Sequence, residues 1–62
     1  MIARDKAITM VAKYEKLGIS FEVAKQCALL ECDAIIELVK GTSLFPVMFN
    51  YHYDVKQHIV NL

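Results

Sequence analysis

The segment from Phe21 to Lys40 constrains the fold most, because its apolar side chains spread over far more than one helical face. Projected at about 100° per residue, the polar side chains collect in one narrow strip: Glu22, Gln26, Asp33, Glu37 and Lys40, with Lys25 at its edge. Apolar side chains occupy about 200° on the opposite side, whereas a surface helix needs only about 100°. This helix must therefore be covered on two sides, by a helix of its own chain and by something else.

The preceding segment, residues 2–17, also has the pattern of a helix with one buried face. Its apolar stripe consists of Ala3, Ala7, Met10, Val11, Tyr14 and Leu17. Gly18 is the residue type that ends helices in a left-handed conformation, and Ser20 is a good N-cap for a helix over residues 21–40. A connection this short predicts that the two helices form an antiparallel hairpin.

Residues 42–50 form a largely apolar run that contains Pro46, and we predict a loop here. A loop of this kind is not normally left in solvent, so it either packs across the hairpin as a lid or forms part of an oligomer interface. Asn50 is a suitable N-cap for a third helix over residues 51–61. The apolar stripe of that helix consists of Tyr51, Val55, His58, Ile59 and Leu62. The predicted fold class is all-α, with the hairpin and a C-terminal third helix in a single domain over residues 1–62.

The chain is too small to bury this much apolar surface by itself. Hydrophobic residues make up 56% of its 62 residues, above the roughly 45–50% of ordinary domains. A chain of this length buries only about 60% of the surface that it exposes when unfolded. We therefore expect a small homo-oligomer. The residues predicted to line its interface are Glu31, Ile35, Leu38, Phe45, Met48 and Phe49.

Charge and cysteine content argue against several classes of function. Seven Lys and Arg balance seven Asp and Glu, so no net basic field attracts nucleic acid. The longest charge-free stretch is too short to cross a bilayer, and we expect no membrane partner. Cys27 and Cys32 point about 140° apart on a helix, so they cannot pair with each other. With no other cysteine present, we expect no metal site, no cofactor and a reducing, cytoplasmic location.

Glu31 is the most unusual polar residue, because it projects into the apolar arc of the second helix. A lone buried carboxylate is costly, so it must be paired, protonated or exposed in a cavity. The simplest interpretation is that it meets a Lys, Tyr or His across a subunit interface. A ligand-binding, metal-binding or catalytic carboxylate is the alternative, and Cys27 at i−4 supplies only half of a metal site.

The third helix carries the remaining candidates. His52 and His58 point about 120° apart, so they cannot share a metal, and we assign them structural or capping roles. Tyr53 and Lys56 lie one turn apart, which suits either stacking and charge contact with a nucleotide or a protein interface. Recognised enzyme motifs are missing from the sequence. We therefore predict a protein that is not an enzyme.

Two runs of residues carry a resemblance to a known family: residues 24–30, Ala-Lys-Gln-Cys-Ala-Leu-Leu, and residues 55–57, Val-Lys-Gln. With Tyr51 between them, they resemble small uncharacterised proteins encoded by bacteriophages and prophages. The chain departs from that family at Glu31, where the family tends to have a small residue, and in its tail.

The resemblance implies an anti-defence role in the host cytoplasm. Such proteins include compact oligomers that sequester a nucleotide immune signal, such as a cyclic oligonucleotide or cyclic ADP-ribose, in pockets between subunits. The residues that would bind it here are Lys25, Tyr51, Tyr53 and Lys56. The alternative is a protein-binding inhibitor or adaptor that docks on a host defence protein.

Overall fold

Three helices account for most of the chain in the computed structural model, which describes residues 2–62. They are α1 (Ala3–Glu15), α2 (Phe21–Val39) and α3 (Phe45–Val60), and residues 2–62 contain no strand. Each helix packs against both of the others. The predicted all-helical class with three helices is therefore confirmed.

The connection between α1 and α2 has the local chemistry that the sequence indicates. Gly18 has a φ of +86°, in the left-handed region that glycine adopts without steric cost. The Ser20 hydroxyl accepts a hydrogen bond from the Val23 amide at 3.4 Å and so caps α2. Leu17, predicted to continue the buried stripe of α1, is 72% exposed because the helix ends at Glu15.

The third helix begins six residues earlier than predicted, so the expected apolar loop over residues 42–50 is wrong. Residues 45–50 are helical, and Asn50 lies exposed within α3 instead of capping it. The error came from Pro46, which lies in the first turn of α3, where its missing N–H costs no helical hydrogen bond. The true connection is tightened by Thr42, whose hydroxyl donates to the Val39 carbonyl at 2.6 Å and accepts from the Leu44 amide at 3.2 Å.

The core lies where the three helices meet. Its buried apolar members are Ala7, Met10, Val11, Ala24, Ala28, Cys32, Val55 and Ile59. His52 is buried with them at 4% exposure, and its Nδ1 lies 3.0 Å from the Met48 carbonyl oxygen one turn earlier. Leu62, predicted to continue the buried stripe of α3, is instead exposed, because α3 ends at Val60.

Much apolar surface stays outside this core. The exposed large apolar side chains among residues 2–62 are Ile2, Ile8, Leu17, Phe21, Val23, Leu30, Leu38, Leu44, Val47, Phe49, Tyr53, Val60 and Leu62. The single chain thus leaves uncovered a large part of the apolar surface that its composition provides.

Within residues 2–62, no helix is both long enough and apolar enough to cross a membrane.

Candidate functional site

Glu31 is held by two side chains of α1. Lys13 Nζ lies 2.6 Å from Oε1 of Glu31, and the Tyr14 hydroxyl donates to the same oxygen at 2.7 Å. The Lys13 ammonium also lies 4.9 Å from the centre of the Tyr14 ring, within the range of a cation–π contact. Glu31 therefore connects α2 to α1 through a cluster of three polar side chains at the edge of the core.

The charges of this cluster stabilise one another. Burial raises the pKa of Glu31, but the hydrogen bonds from Lys13 and Tyr14 outweigh it and hold the pKa below its ordinary value. The hydrogen bond between Lys13 and Glu31 raises the pKa of Lys13. The hydrogen bond that the Tyr14 hydroxyl donates to Glu31 raises the pKa of Tyr14. At neutral pH the cluster therefore holds a carboxylate, an ammonium and a neutral phenol.

The partners of Glu31 correct one part of the sequence interpretation. A lysine and a tyrosine were among the expected partners, but both belong to the same chain and not to another subunit. Tyr14 was assigned to the apolar stripe of α1. A tyrosine can belong to the core and also reach a carboxylate, because its ring is apolar and its hydroxyl is polar. That dual character was the signal available in the sequence.

Two lysines of the predicted ligand site lie at the contact between α2 and α3. Lys56 Nζ is 2.6 Å from Oδ1 of Asp33, and Lys25 Nζ is 3.4 Å from the Val60 carbonyl oxygen. Residue numbers rise along α2 while those of their partners fall along α3, so these two helices run in opposite directions. Both lysines therefore have partners within the chain, and Lys56 has its charge neutralised by Asp33.

The two tyrosines of the predicted ligand site lie on different sides of α3. Tyr53 belongs to a row of three rings in which Phe45 is half-buried and the other two are exposed: the Phe45 and Phe49 centroids are 5.3 Å apart, and those of Phe49 and Tyr53 are 6.0 Å apart. Tyr51 instead packs against the core, with its ring edge-on to His52 at 5.2 Å. One chain therefore does not bring the four predicted ligand residues into a single site.

The described part of the chain offers no enclosed site. No pocket is found in the structure of residues 2–62. No group of three or more His, Cys, Asp and Glu side chains among them is arranged to hold a metal ion. Cys27 and Cys32 are free, the first half-buried and the second fully buried.

The predicted interface residues fall into two classes. Leu38 is the most exposed of them at 80%, and Phe49 is also exposed. Ile35, Phe45 and Met48 are half-buried, and Glu31 is engaged by α1 as described. The prediction passed over a further exposed apolar residue of α2, Leu30, which is 68% exposed. The 200° apolar arc already contained this residue, but the sequence did not indicate which half of the arc the rest of the chain would cover.

Comparisons with known proteins identify no relative. No protein-family model matches the chain, and no curated protein or solved structure shows significant similarity to it. The resemblance to phage-encoded proteins therefore stays a prediction from the two short runs of residues that carry it.

Proposed function

We propose that this chain is a non-enzymatic helical protein that self-associates and, once assembled, binds another protein. In this proposal α1 and α2 form an antiparallel hairpin, and α3 completes a small building block. The observation that carries it is the large exposed apolar surface: eight apolar residues are buried in the core, whereas thirteen large apolar side chains are exposed among residues 2–62. Exposed apolar surface on this scale is typical of interaction sites.

The exposed aromatic row of α3 is the surface proposed for the protein partner. Phe49 and Tyr53 are stacked one turn apart, with Phe45 against Phe49 and the Lys56–Asp33 ion pair one turn further along. Aromatic side chains edged by charged groups are the composition that protein interfaces favour. The phage resemblance points to a host defence protein as that partner.

A comparison of two variants tests this surface. Phe49→Ala combined with Tyr53→Ala removes the exposed rings, while Val47→Ala removes a more exposed apolar side chain elsewhere on α3. A partner that co-purifies with the native chain and with Val47→Ala, but not with the double variant, supports the proposal. Equal recovery with all three contradicts it.

Sequestration of a nucleotide is the second candidate. Lys25 and Lys56 lie along the same contact between α2 and α3, and Tyr53 is exposed one turn from Lys56. Two lysines and an aromatic ring suit a phosphate-bearing ligand, but Lys56 would have to exchange its ion pair with Asp33 for the phosphate, and a pocket would have to be built by more than one chain.

Native mass spectrometry tests the second candidate. An oligomer that retains extra mass in the range of a cyclic oligonucleotide or cyclic ADP-ribose, and loses it in Lys56→Gln, supports sequestration. A bare oligomer that binds none of these ligands when they are added contradicts it.

A further inference from the structure

We draw no further inference here: the strongest candidate, the exposed apolar face of α2 formed by Val23, Leu30 and Leu38, carries nothing, because nothing in the structure of residues 2–62 shows what covers it.

Discussion

The Tyr14 hydroxyl of α1 donates a hydrogen bond to Oε1 of Glu31 on α2 at 2.7 Å. This bond links two helices through side chains that are both partly buried. It also makes a carboxylate compatible with the apolar arc of α2, because a charged acceptor bound to a phenol and an ammonium no longer lacks partners.

Removing the Glu31 charge should lower the free energy of unfolding at pH 7. Hydrogen bonds to charged groups contribute about 1.5–3 kcal/mol, and because a quarter of the side chain is exposed to solvent, we expect a loss of about 1 kcal/mol for Glu31→Gln. Glu37→Gln is the matched control on the same helix, since the Glu37 side chain is 72% exposed and its nearest ammonium is 3.9 Å away. Urea denaturation measures both. A loss no larger in Glu31→Gln than in Glu37→Gln would contradict the structural role of this cluster.

The same cluster should make stability depend on pH in acid. Because the pKa of Glu31 is lowered in the folded chain, its contribution is present above the ordinary value of 4.5 and is lost as the pH falls through the lower, folded value. The native chain should therefore lose more stability between pH 7 and pH 3 than Glu31→Gln does. Parallel pH curves for the two proteins would show that the charge of Glu31 does not contribute.

At alkaline pH the same cluster should lose stability as the pH rises, whereas at acid pH it loses stability as the pH falls. The pKa values of Lys13 and Tyr14 are raised by their hydrogen bonds to Glu31. Their contribution is therefore complete below the ordinary values of 10.5 and 10.0 and is lost as the pH rises through the folded values. Tyr14→Phe removes one of the two groups and should flatten the alkaline part of the stability curve, whereas Tyr53→Phe, an exposed control, should not. An unchanged alkaline slope in Tyr14→Phe would contradict the contact.

The two cysteines should differ in reactivity. Cys32 is fully buried in the core, and burial raises the pKa of its thiol, whereas Cys27 is half-exposed. Since the thiolate is the reactive form and must also be reached, iodoacetamide should modify Cys27 first and Cys32 only on unfolding. Mass spectrometry of peptides after timed quenching assigns the site. Equal rates in the folded chain would mean that the core opens readily.

The pattern of helices could be predicted from the sequence because local signals set it. Gly18 and Ser20 mark the boundary between α1 and α2 through backbone freedom and capping, which act within a few residues. Pro46 gave the wrong signal, because a proline is compatible with either a loop or the first helical turn, and only the packing of α3 distinguishes them. The types of partner for Glu31 could be predicted, but not that both lie on α1 of the same chain, because that depends on how α1 packs on α2, which no local pattern specifies.

Truncation of the neighbouring side chains Ile59 and Val60 to alanine should have very different effects on the free energy of unfolding. Ile59 is fully buried, whereas Val60 is 56% exposed although it is the next residue along the chain. Ile59→Ala should lower the free energy of unfolding by about 2–5 kcal/mol through lost burial and a cavity, while Val60→Ala should change it by less than about 0.5 kcal/mol. Thermal denaturation of the two variants measures the difference. A large loss in Val60→Ala at high protein concentration but not at low would instead reveal a contact with another chain.

Leu38 and Ile35 allow folding and assembly to be separated. Leu38 is 80% exposed, so Leu38→Asp should leave the folded single chain within about 0.5 kcal/mol of the native stability. Ile35 is half-buried, and Ile35→Asp should unfold or strongly destabilise the chain, because it places an unpaired charge beside the core. If the exposed surface of α2 is covered by a second copy, Leu38→Asp should also weaken self-association in sedimentation experiments, since the new charge would lie in an apolar contact. Native helicity with unchanged association would remove Leu38 from the interface, whereas loss of helicity in a dilute, monomeric sample would contradict its exposed position.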